Sequence, residues 1–200
     1  YKKPYQYDRE YWFMRSVEVD YGPEKIGISV PETATVARFN NPTPNPNPEL
    51  AVRRALDCPY GAPPLRHLIR PDMKVAIAHD DPTKPGPPFQ IVLNVLIDIL
   101  LSAGVKKKNI SLISANGNHK KWSSNELKNF LGERIFNTFY PLGNVKNHDC
   151  QDREKLICLG RTPGGAIVDH NRDFLEADLL LYAGQIVAHS WGGYTGTGAA

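Results

Sequence analysis

Three short segments hold the residues that could do chemistry. The first is His79-Asp80-Asp81-Pro82-Thr83-Lys84-Pro85. An aspartate there can accept a hydrogen bond from a sugar hydroxyl or position a base. Thr83 and Lys84 can hold an anion, and a helix N-terminus beyond them adds backbone donors. The second is Ala115-Asn116-Gly117-Asn118-His119-Lys120-Lys121. An imidazole beside a turn of small residues can act as acid or base near neutral pH. The third runs from Ala188-His189 to Gly198 and carries Gly192, Gly193, Gly196 and Gly198. Such glycine density lets a backbone approach a ligand closely or form an anion nest. No Gly-Lys-Ser/Thr follows, so this is not a Walker A loop.

The other candidates are weaker. His67, His148 and His170 read as structural or surface residues. Cys58, Cys150 and Cys158 stand at no metal-ligand spacing and read as small core residues of a reduced protein. Zinc protease, zinc ribbon and serine hydrolase signatures are missing, and no metal ligand is assigned.

Each of the three segments follows a short apolar run, and these runs are the elements that must position them. Residues 73–79, 110–115 and 178–183 read as strands, with weaker strands near 145–148 and 166–170. Residues 88–103 read as a helix buried on most sides. Gln90, Asn94, Asp98 and Ser102 recur every four residues and draw one polar stripe along it. Ser123 with Glu126 forms a capping box for a second helix. Lys106 to Lys108 read as a solvated helix end. Strand–loop–helix alternation predicts an α/β fold with a mainly parallel, Rossmann-like sheet flanked by helices. In such a sheet the ligand sits outside the carboxyl ends of the strands, where all three loops lie. Ahead of it, residues 16–38 alternate around Gly22-Pro23 and predict an N-terminal β-hairpin. Residues 1–15 form an aromatic arm. Residues 40–48, with proline at every second position, exclude helix and interior strand and predict an extended connector. A further short helix is expected over 49–57.

The chain has 200 residues, 41% hydrophobic and 22% charged, which is ordinary globular composition. A net charge of +3 without a long basic run gives no support for a nucleic-acid partner. The longest apolar run, 89–101, is too short to span a bilayer. No signal peptide opens the chain, and a cytoplasmic location is expected.

The ordered motifs resemble the N-terminal domain of the lactate racemase family, the nickel-pincer nucleotide enzymes. Asp80-Asp81-Pro82-Thr83-Lys84-Pro85 is similar to the family's Asp-x-Thr-Arg-Pro loop, and residues 116–121 to its Gly-x-His-Arg loop. Asn147-His148-Asp149, the stretch 159–165, and Asn171-Arg172 with Glu176-Ala177-Asp178 follow the family order. Residues 185–196 resemble its Ile-x-x-His-x-x-x-Gly-x-Ser-Gly-Gly loop. The resemblance implies racemisation or epimerisation of a 2-hydroxy acid with a nickel-bearing pyridinium nucleotide as cofactor. It implies that His119 and His189 form the acid/base pair, one on each face of the substrate carbon. Asp81, Thr83 and Lys84 would line the cofactor or the substrate carboxylate, and Gly193 and Gly196 would admit the cofactor to the loop.

Three positions depart from the family pattern, one of them Thr197, which replaces a glycine. Lys84 replaces an arginine, keeping charge but losing the two-pronged grip on a carboxylate. Ala199 stands where the cofactor-linking lysine falls, so the cofactor would bind without a covalent link. The resemblance covers 16–200 as one cofactor- and substrate-binding α/β domain. It places a C-terminal domain, with the nickel-binding histidine, beyond residue 200, and a homo-oligomer is compatible with the aromatic arm. Two alternatives follow from the departures: a non-catalytic nucleotide- or phosphate-ligand-binding domain, and a metal-free, histidine-dependent lyase on the same scaffold.

Overall fold

Gly22-Pro23 is the two-residue turn of a hairpin, with Gly22 at φ +63°, the glycine-first arrangement whose twist suits paired strands. It joins β1 (Met14–Tyr21) to β2 (Glu24–Pro31), which pair antiparallel with Tyr21 opposite Glu24. A computed structural model describes residues 13–38, 43–83 and 89–186, and the backbone of 188–189 and 193–194. Tyr1–Pro44 and Asn45–Ala200 are separate compact units, and the hairpin belongs to the first. Most of the expected aromatic arm lies outside the described residues, while Met14 and Arg15 belong to β1.

The second unit begins with α1 (Pro48–Asp57), capped by Asn47, whose side chain accepts from Leu50 N at 3.0 Å. There follow α2 (Leu65–Leu68), β3 (Val75–His79), α3 (Phe89–Ser102), β4 (Ile110–Ser114), α4 (Ser124–Leu131), α5 (Glu133–Phe139) and β5 (Val145–Asn147). An antiparallel pair, β6 (Leu156–Arg161) and β7 (Ile167–Asn171), comes next. Then come α6 (Arg172–Leu175), β8 (Leu179–Ala183) and a short pair, β9 (Ala188–His189) with β10 (Gly193–Tyr194). The sheet order is β5-β4-β3-β8, and every neighbour is parallel. The α/β reading is therefore realised, with the hairpin ahead of it.

The core forms between the sheet and its helices. Every residue of β3 is buried, and Leu93, Leu100, Ile110, Leu112, Ile113 and Leu131 are completely so. Each such side chain contributes about 1.5–3 kcal/mol by leaving water. The polar stripe of α3 has partners. Gln90 donates to the Asn129 and Phe130 carbonyls, and Arg134 of α5 donates to Asn94 and pairs with Asp98. Three of the stripe's four residues thus seat α4 and α5, while Gln90 and Ser102 remain exposed. The expected capping box is present, with Ser123 accepting from Glu126 N and Glu126 from Ser123 N.

Two expectations are corrected. All three cysteines are exposed and unpaired. Lys107–Asn109 form a separate 3-10 turn leading into β4, because Gly104 at φ +90° has already ended α3. Among the described residues no helix is long and apolar enough to cross a membrane.

Candidate active site

The strand order reverses at β3: chain order continues to β4 on one side and jumps to β8 on the other. In an open parallel sheet that reversal opens a crevice at the carboxyl ends. The loop after β3 therefore lies between the loop after β4, which carries His119, and the loop after β8, which leads to His189.

Asp80 and Asp81 follow β3 directly and are both buried, with different tasks. Asp80 accepts from Tyr182 Oη at 2.6 Å and from Gln185 N at 2.7 Å. It ties β3 to the exit of β8. Burial, then the hydrogen bond to Asp80, push the Tyr182 phenol well above its usual range, so it stays a donor. Asp81 turns the other way. Its Oδ2 meets His119 Nδ1 at 2.6 Å, and its Oδ1 accepts from Thr83 N at 2.8 Å and from the Thr83 hydroxyl. Burial alone would raise the Asp81 carboxyl; the hydrogen bonds from Thr83 and His119 outweigh it and hold the group below its ordinary value.

An ionised Asp81 only accepts, so His119 Nδ1 carries the proton and Nε2 is the basic nitrogen. The His119 side chain is 55% exposed, against 2% for Asp81. A buried carboxylate thus aims an accessible imidazole, the arrangement of an oriented general base.

Asn116 frames this loop. Its carbonyl accepts from His119 N at 2.9 Å. Its Nδ2 donates to Asn147 Oδ1 at 2.9 Å and to the His148 carbonyl at 3.2 Å. Asn147 in turn holds both the N–H and the carbonyl of Trp122. Among the described residues, four buried polar atoms here find no partner: His79 Nε2, Ser114 Oγ, Asn116 Oδ1 and Trp122 Nε1. All belong to the carboxyl ends of β3 and β4 or the loop after β4. His79, stacked on Phe130, is lowered by burial to about 4 and stays neutral.

The structure brings Asp81, Thr83 and His119 together. His189 lies in β9 with its backbone opposite Gly193 of β10. The His189 side chain, Lys84, Gly196 and Ala199 lie outside the described residues. Asp80 and Asn116 were read as parts of the first two loops without roles of their own, and His148 as a structural or surface residue. Their signal was position: each follows directly, or within two residues, on a strand of the parallel sheet.

Residues 21–199 match the family model described as lactate racemase N-terminal domain. The chain belongs to the lactate racemase family. It is 28% identical over 192 residues to the lactate racemase of Thermoanaerobacterium thermosaccharolyticum, covering 92% of this chain and 42% of that protein. It is 30% identical over 145 residues to the lactate racemase of Lactiplantibacillus plantarum, covering 72% of this chain and 33% of that one. The solved lactate racemase apoprotein of T. thermosaccharolyticum superposes with a TM-score of 0.73 at 26% identity, over 91% of this chain and 42% of that chain. The chain thus spans less than half the length of these family relatives.

In this chain the orphaned polar atoms at the sheet edge fit a polar group held by hydrogen bonds. The resemblance would place the family's linking lysine at Ala199, whose methyl offers no such link. Among the described residues no three His, Cys, Asp or Glu side chains gather as a metal site.

Proposed function

We propose that this chain is the N-terminal part of a racemase or epimerase acting on a small 2-hydroxy acid. The oriented Asp81–His119 pair at the sheet's switch point carries the reading, and the family relatives support its reaction class. His119 takes the substrate's hydroxyl proton through Nε2, while Asp81 keeps Nδ1–H aimed and balances the imidazolium charge. The nickel-pincer nucleotide, when bound, supplies a reversible acceptor for the α-hydrogen as hydride. His189 acts from the opposite face of the carbon and would give a proton to the carbonyl oxygen of the planar 2-oxo acid; the centre is inverted when the hydrogen taken as hydride is returned to that other face. Thr83, Lys84, Gly193 and Gly196 hold the cofactor without a covalent tether. Lys84 also offers its charge to the substrate carboxylate. A C-terminal domain completes the enzyme, in the cytoplasm, with neither nucleic acid nor membrane as a partner.

The test uses the full-length protein, co-expressed with cofactor-making enzymes and given L-lactate. Chiral chromatography should detect D-lactate, and elemental mass spectrometry should detect bound nickel. His119→Ala should slow conversion at least ~100-fold. A wild type that binds nickel and nucleotide yet inverts no 2-hydroxy acid would favour the binding-domain reading.

A further inference from the structure

His148 follows β5 directly, and Asn116 joins it to His119. The Asn116 side chain donates to the His148 carbonyl, and the Asn116 carbonyl accepts from His119 N. His148 N donates to the Ser114 carbonyl at 3.0 Å, fixing its backbone on β4. Two histidines therefore stand on one buried asparagine at the carboxyl edge of the sheet.

The His148 tautomer is set by its neighbour. Asn171 is buried, and its Oδ1 accepts from Asp173 N at 2.8 Å. That bond fixes which way the amide faces. Asn171 Nδ2 therefore points at His148 Nδ1, 3.1 Å away. An amide N–H only donates, so Nδ1 must be bare and Nε2 must carry the proton. No described residue bonds that Nε2. Burial, opposed by Asp149 and aided by His170, holds His148 below the usual histidine range. Asp149 is itself engaged by Lys121 at 2.6 Å.

His119 and His148 are thus opposite tautomers on one frame. Asp81 makes the first a base at Nε2; Asn171 makes the second a donor at Nε2. We infer that His148 is a third histidine of the site, a neutral N–H donor that holds a carboxylate oxygen of the 2-hydroxy acid. This rests on the proposed function for its substrate class. A neutral donor grips the anion in both ground and transition states, so its loss should raise KM more than it lowers kcat.

The experiment is nitrogen NMR on full-length protein labelled at histidine. His148 should show a protonated Nε2 and a bare Nδ1, and saturating L-lactate should shift the Nε2 signal. His148→Ala should raise KM about tenfold with kcat little changed. His148→Gln, whose amide nitrogen reaches about the Nε2 position, should restore most of it. A protonated Nδ1, or an Nε2 signal that L-lactate leaves unmoved, overturns the inference, even if His148→Ala does not fold. A wild type that inverts no 2-hydroxy acid while L-lactate still shifts His148 overturns the racemase reading and leaves the donor assignment standing.

Discussion

Asp81 shows how one buried carboxylate converts a surface histidine into a tool. Replacing it with asparagine keeps the shape but presents an N–H to His119 Nδ1 and forces the opposite tautomer. Asp81→Asn should therefore cut kcat by about 10²–10⁴, measured as inversion of L-lactate by the full-length enzyme, with little change in melting temperature. Because the Asp81 carboxyl lies below its ordinary value in the fold, its stabilisation is present above the unfolded pKa. It is lost as pH falls through the lower folded value. His79 runs at higher pH. Its folded pKa is lowered to about 4 from 6.5, so the unfolded chain binds the extra proton between those values. Stability is whole above pH 6.5 and falls toward pH 4. Against His79→Phe, the wild type should lose about 2–3 kcal/mol more between pH 7 and 4.5, read from urea midpoints. Equal losses would show that His79 is not the group that titrates.

The helices test which contacts matter at the next scale. Arg134 bridges Asn94 and Asp98, but its side chain is 57% exposed, so Arg134→Ala should cost only about 0.5–1 kcal/mol. Leu93 on the same helix is fully buried, and Leu93→Ala should cost about 2–5 kcal/mol. Gly132 links α4 to α5 at φ 80°, ψ 156°, a region open essentially to glycine. A Cβ there would stand 2.9 Å from Gln90 Oε1. Gly132→Ala should cost about 1–3 kcal/mol. Equilibrium denaturation of the three variants would check the ranking, and a costly Arg134→Ala would mean the stripe is more deeply shielded than its exposure shows. Periodicity made α3 and its stripe legible in the sequence. The partner Arg134, forty residues away, was not, because periodicity describes one helix and says nothing of which helix answers it.

At the scale of the molecule, the reversal of strand order at β3 sets the ends of β3, β4 and β8 side by side, and Asp80 fastens the reversal by holding Tyr182 and Gln185. Tyr182→Phe removes one of these bonds. It should cost about 1 kcal/mol and speed hydrogen exchange at Gln185 and Ile186 relative to β4. Unchanged exchange would assign the loop's order to other contacts. Neither β6 nor its antiparallel pairing with β7 was legible in the sequence. The sequence alone determined the four strands of the parallel sheet, the buried helix, the hairpin and the loops rich in polar and glycine residues. These follow from local periodicity and from the special backbone freedom of Gly and Pro. His119 was legible as a candidate base because its neighbours are small and it follows a strand. Its dependence on Asp81, the separate duty of Asp80 and the opposite tautomer of His148 were decided only by tertiary structure. A tautomer depends on which donor or acceptor lies within about 3 Å; the parallel sheet brings together residues 38 and 102 positions apart in the chain, and the end of β7 meets the end of β5 across 23.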